Sequence, residues 1–211
     1  MQASDIIASA RILLTDPDKV RWDDPTLLRW LNSGQRQICA VRPDAKSVRA
    51  DLALAAGVEQ TIPANGWKFL SALHNVGSDG SRGRVLTLVS RDELNAIDVS
   101  WPAASGQAVQ KHYTVDEDNP RMFEVWPPSM GGNKLRINYA ALPTDCTTLS
   151  SDVDLSDVYE GPLVDWICYR AYGPDSDDTQ DATRSATHLS AFMTALGVKS
   201  QSDAATAPKR K

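Results

Sequence analysis

Apolar residues recur at helical spacing at both ends of the chain and at period two through its middle. Ile6, Ile7, Ala10, Leu13 and Leu14 make the first stripe, with Ser4 or Asp5 placed to cap it. Asp16-Pro17-Asp18 stops that helix. A second helix is predicted from the N-cap Asp24, with Pro25 at the first helical position. Leu27, Leu28, Leu31, Ile38 and Val41 form its stripe, and Arg42-Pro43-Asp44 ends it. From about Lys46 to Thr144 the pattern is that of strands. Val48, Ala50, Leu52 and Leu54 alternate with Arg49, Asp51 and Ala53. Further strands are predicted over Trp67 to Val76, Arg84 to Val89, and Lys134 to Ala140. Gln60 to Pro63 is read as extended after a turn at Ala56 to Glu59, and Ser90 to Leu94 as a short helix start. Lys111 to Val115 and Met122 to Trp126 flank a turn at Asp116 to Pro120, which predicts a hairpin. Helix returns near Tyr159, with Leu163, Val164, Ile167, Cys168 and Ala171 on its stripe, and stops at Gly173-Pro174. The last helix is expected after Asp177-Asp178, with Ala182, Ala186, Leu189, Met193 and Leu196 facing inward and Gly197 ending it. Val198 to Lys211 is small and polar and reads as a disordered tail.

This order predicts an α+β protein: a four-helix bundle formed by the N- and C-terminal helix pairs, with an inserted β-rich block of sandwich or barrel type. The expected boundaries are 1–45 and 155–197 for the bundle, 46–145 for the insert and 198–211 for the tail.

Composition narrows the function. The chain has 211 residues, 42% hydrophobic and 23% charged, enough to bury a core with no disulfide or metal. A net charge of -5 speaks against a protein that grips DNA along its backbone, which needs clustered Lys and Arg. Cys39, Cys146 and Cys168 include no Cys-x-x-Cys pair and read as reduced thiols. No signal peptide and no membrane-spanning run is seen, so the product is expected in cytoplasm until it is assembled or released.

Catalytic motifs are missing. The sequence has no Gly-x-Ser-x-Gly, no phosphate-binding loop and no His-Glu-x-x-His. His74, His112 and His188 lack a second ligand at metal spacing. Asp175, Asp177 and Thr179 imitate the start of a calcium loop, but Gln180 stands where glycine is needed and Ala186 where a glutamate is needed. No catalytic residue, metal or cofactor is therefore expected. One alternative is a carboxylate-based hydrolase or carbohydrate-acting protein using Asp116, Asp118 and Trp126. Such a pair needs pKa values driven apart by burial, and an Asp- and Asn-rich turn does not offer it. Another alternative is a DNA-packaging protein, which the negative charge disfavours. Of the six tryptophans, Trp30 and Trp166 fall inside helices. Trp22, Trp67 and Trp101 fall in loops or at element ends and are candidates for a subunit or tail interface, or for local packing.

Four segments carry a family resemblance. They are Arg21-Trp22-Asp23-Asp24 leading into Leu27 to Gln35; Arg42 to Ala45 with Leu54 to Gln60 and Ile62-Pro63; Asp118-Asn119-Pro120 with Phe123 to Pro128; and Tyr159 to Trp166. In this order the chain, over about residues 5 to 197, resembles the head-to-tail adaptors, or connectors, of tailed phages, related to tail tubular and gatekeeper-ring proteins. The resemblance implies a homo-oligomeric ring, of twelve copies, joining the portal protein to the next tail component (a terminator, nozzle or stopper). It implies a virion protein of the head-tail junction with no active site. DNA would pass through the ring without specific binding, and negative charge would keep it off the wall. The C-terminal segment would dock into the portal, which assigns that role to Val198, Lys199, Pro208, Lys209, Arg210 and Lys211.

Overall fold

The computed structural model describes residues 1–116, 118–173 and 179–206, leaving aside the side chains of Thr179 and of 198–206. Contacts divide the chain into two units, Met1–Ala45 with Pro143–Lys211, and Lys46–Leu142.

The first unit is helical. It contains α1 (Ala3–Leu14), α2 (Asp24–Val41), α4 (Glu160–Tyr172) and α5 (Thr179–Thr206). Gln2 is the residue before α1, its N–H bonded to Asp5 Oδ2 at 3.3 Å, so the helix starts before the expected Ser4 or Asp5. At α2 the N-cap is Asp23, whose carboxylate accepts from Thr26 N, one residue ahead of the expected Asp24. The expected four-helix bundle is not what the helices form. Among the described residues there are five α-helices, one of them (α3, Arg91–Ile97) inside the strand-rich unit. α4 is the hub: α1, α2 and α5 each pack on it, while α5 packs on no other helix to a comparable extent. The sequence of α4 explains this, because Pro162 and Tyr172 are buried as well as the stripe of Leu163, Val164, Ile167, Cys168 and Ala171, which widens the buried face. Close approach of α2 to α4 depends on Gly34, where a Cβ would lie 2.8 Å from Trp166 Cδ1.

The non-helical return segment after Pro143 completes this core with Cys146, Val153, Leu155 and Tyr159. A buried polar network ties it to α2. Asn32 Nδ2 donates to Cys146 O at 2.9 Å and Asn32 Oδ1 accepts from Cys146 N at 2.8 Å, while Gln35 Oε1 accepts from Asp154 N at 3.0 Å. α5 runs to Thr206, past the expected stop at Gly197. Gly197 has open space around its Cβ position, so it costs helix propensity without breaking the helix.

The second unit has two four-stranded sheets. One has the order β1-β8-β3-β4, from β1 (Ser47–Ala53), β3 (Gly66–Val76), β4 (Arg82–Val85) and β8 (Lys134–Ala141). The other has the order β2-β7-β6-β5, from β2 (Gly57–Thr61), β5 (Thr87–Leu88), β6 (His112–Val115) and β7 (Met122–Ser129). Their inner faces share one core, in which the Phe69 and Phe123 rings stack at 4.1 Å between centroids and Leu135, Ile137 and Tyr139 fill the rest. The expected strand from Arg84 to Val89 is split. Buried Leu86 marks the break; β4 stays with the first sheet, and β5 pairs parallel with β6 in the second.

All three thiols are buried. Burial, with a smaller push from the Asp165 charge, raises the Cys168 thiol to about 12. Burial also raises the Cys146 thiol. A disulfide reagent added to native protein at pH 8 is expected to titrate essentially none of the three within minutes, and all three in guanidinium. Rapid labelling of the native chain would contradict this placement.

Candidate functional site

The residues singled out in the sequence are not brought together. Trp22 is buried against Tyr172, edge to face at 6.4 Å, with the Arg21 guanidinium 4.5 Å over its ring. Trp101 is buried, its Nε1 donating to Asn95 Oδ1 at 2.9 Å. Local packing takes up both rings. Trp67 is half-buried where the pairing of β3 with β8 skips a residue, and its indole nitrogen is covered without a partner. Pro208, Lys209, Arg210 and Lys211, and the side chains of Val198 and Lys199, lie outside the described residues. So does the Asp175–Asp177 part of the rejected calcium loop.

The carboxylate alternative does not assemble either. Asp118 is exposed, and Asp116 is used locally, accepting from Asp118 N at 3.0 Å. Trp126 pairs with His112 at the opposite end of the hairpin from that turn. Four residues of strand separate it from Asp116, roughly 13 Å. The histidines are equally scattered. His74 Nδ1 lies 2.9 Å from Asn75 O, and His188 Nδ1 lies 2.9 Å from Asp165 Oδ1. His112 stacks near Trp126; burial lowers its pKa, helped by the Arg84 and Lys111 charges. Among the described residues no group of His, Cys, Asp and Glu could hold a metal, and no helix is long and apolar enough to cross a membrane.

The structure offers surfaces. The outward rows of the β1-β8-β3-β4 sheet are set by register. One row holds Ala53, Lys134, Val76 and Arg82; the next holds Asp51, Arg136 and the buried His74; then come Arg49, Asn138 and Ser71; then Ser47 and Lys68 on either side of the buried Ala140. Arg136 Nη2 donates to Asp51 Oδ2 at 2.7 Å, which holds the Asp51 carboxyl below its usual range. Arg49 Nε donates to neutral Asn138 Oδ1 at 3.1 Å. Among the described residues Lys68, Arg82 and Lys134 make no ion pair. A second surface in the same unit is a 580 Å³ open cleft lined by Val109, Lys111, Trp126 and Pro127. Exposed Ile97 ends α3, and exposed Val99 follows it. In the helical unit a face of small side chains, including Thr183, Thr187, Ser190 and Ala191, runs along α5. Near the start of the chain, Asp5, Asp152 and Asp157 converge on the Met1 amine, which lies 3.1 Å from Asp157 Oδ1.

Sequence reasoning missed the cationic sheet face. Its signal was present in the polar phase of two strands, Arg49 in one and Lys134 and Arg136 in the other. Only the register shows that these phases lie side by side.

The candidate catalytic side chains are kept apart, and the described surface carries broad faces of charged and apolar residues. Comparison with known families is more specific. The chain matches the family model described as SU10 adaptor protein over residues 1–211, and it belongs to that family. It is thus a bacteriophage head-tail adaptor, a structural protein of the virion at the head-tail junction, where adaptors interact with portal and tail components. No curated protein matches it.

Proposed function

We propose that copies of this chain form a ring of twelve beneath the portal, that the ring lines part of the DNA channel, and that the chain acts there without catalysis. The family match along the whole chain is the observation that carries this reading. The formal charge of -5, repeated around a ring, supports a channel that DNA traverses without sticking. The next tail component binds the side of the ring away from the portal.

The C-terminal segment from Val198 to Lys211 engages the portal. Its composition supports this: Lys199, Lys209, Arg210 and Lys211 stand against one acid, Asp203. Imaging of purified portal mixed with the full chain is expected to show an added ring. Deleting 198–211 is expected to lower portal binding at least tenfold, about 1.4 kcal/mol, while leaving the thermal midpoint within a few degrees. Undiminished binding would remove the tail from the portal contact. Virions imaged with this chain nowhere between portal and tail would end the ring reading.

A further inference from the structure

Charge is shared unequally between the two units. Lys46–Leu142 contains ten basic and ten acidic residues, so the net charge of -5 rests on the other unit. Within the neutral unit the charges are sorted. The outer face of the β1-β8-β3-β4 sheet presents Arg49, Lys68, Arg82 and Lys134, all exposed, plus Arg136. Asp51 is the one acid in these rows, and it is bonded to Arg136. Arg49, Lys68, Arg82 and Lys134 make no ion pair among the described residues, although the Lys134 charge helps Arg136 hold the Asp51 carboxyl low. In the helical unit Asp5, Asp152 and Asp157 gather around the Met1 amine, and Glu160 opens α4 beside them. All four of these acids are exposed, as is the apolar Val158 next to Asp157.

A ring made from one kind of chain has heterologous contacts, so each copy must present two unlike patches that fit one another. We propose that the outer face of the β1-β8-β3-β4 sheet docks a second copy of this chain through that copy's Asp5, Asp152, Asp157 and Glu160. This rests on the ring reading and adds which surfaces meet. Charge complementarity selects the occupant: a face with five cations and one acid meets a patch with four acids and one amine. Duplex DNA fits the face less well. An acid sits in its middle, beside the neutral Asn138–Ser71 pair, and four cations outside ion pairs are fewer than the roughly six to ten phosphate contacts of a DNA-gripping surface.

Charge reversal in two separate chains tests this. One variant carries Arg49→Glu and Lys134→Glu; the other carries Asp152→Lys and Glu160→Lys. All are exposed positions, and matched thermal midpoints establish that both variants fold. Mass photometry and negative-stain imaging of the full chain, with and without purified portal, read assembly. Each variant alone is expected to lose oligomer at least tenfold, because like charges then face each other at every contact. An equal mixture is expected to recover it. In the mixture a reversed face meets a reversed patch at one contact, and the unaltered face meets the unaltered patch at the next. Either variant assembling alone like the wild type overturns the proposal. So does a mixture that stays unassembled although both variants are folded. If the Arg49→Glu, Lys134→Glu chain still forms rings but no longer retards a DNA fragment that the wild type retards, the face belongs to DNA. A wild-type chain that forms no oligomer even on the portal overturns the ring reading itself, a result distinct from a ring indifferent to these charges.

Discussion

Asp16→Ala is expected to destabilise the helical unit by roughly 3–5 kcal/mol, the range for removing one partner of a buried ion pair. Asp16 and Arg11 are both nearly inaccessible, and their side chains meet at 2.9 Å. Asp16 organises the loop between α1 and α2. Its Oδ1 accepts from Val20 N at 2.8 Å and Arg21 N at 3.1 Å, and its Oδ2 accepts from Trp22 N at 3.3 Å. Arg11 Nη2 reaches Trp22 O at 3.0 Å and Asp24 Oδ1 at 2.7 Å. Truncation leaves three backbone donors and part of a guanidinium without their acceptor. Burial pushes the Asp16 carboxyl up, but the backbone donors of Arg21, Trp22 and Val20, with the Arg11 charge, outweigh it and hold the group below its ordinary value. A carboxyl whose folded pKa is depressed contributes stability above its unfolded pKa, near 3.9, and loses it as pH falls through the folded value. The gap between wild type and Asp16→Asn in denaturant midpoint is therefore expected to be full at pH 7 and to narrow below about pH 4. A gap that stayed constant down to pH 2 would refute the role given to the ionised carboxylate.

Phe192→Ala is expected to cost about 3–5 kcal/mol as well, through a cavity and not a charge. Phe192 is fully buried, its ring 5.0 Å from that of Trp166. Leu196 lies buried one turn on. Since α5 packs chiefly on α4, few other contacts hold it in place. Ser185 Oγ donates to Tyr169 O at 3.1 Å, and Arg21 pairs with Asp181 at 3.1 Å. Loss of the ring should therefore act locally first. Hydrogen exchange is expected to quicken along α5 well before the strands of Lys46–Leu142 respond. Phe192→Leu, which fills most of the volume, should recover more than half of the loss. Uniform quickening across both units would mean that α5 does not unfold as a separate segment.

The periodicities found the elements better than their partnerships. α1, α2 and α4 lie where their stripes predict, because an apolar face at 3.6-residue spacing has few other uses. Helix starts moved by a residue or more. Asp23 and Asp24 are both competent caps, and Gln2 was not a candidate until Asp5 was seen to bond its N–H. Which helix packs on which is decided by burial around α4, where Pro162 and Tyr172 widen the buried face, and a pattern of four helices does not distinguish a hub from a bundle. Leu86 shows the same limit among strands. It is one apolar residue in an extended run, yet the chain leaves one sheet there and joins the other. Trp22 and Trp101 sit in short segments between longer elements, and both rings are buried there, which loop position left open between packing and an interface. The cations of the outer sheet face were each visible, but their adjacency depends on strands nearly ninety residues apart, Arg49 beside Asn138.

Ser47 and Ala140 are paired residues of β1 and β8, at the two points where the chain enters and leaves the strand-rich unit. Partners in such a ladder have Cα atoms only about 5 Å apart. Everything from one crossing to the other could thus be cut out and the gap bridged by a residue or two. Insertion at this doorway is a cassette arrangement: the strand-rich unit enters and leaves through one pair of neighbouring strands, and the helical unit keeps a core of its own.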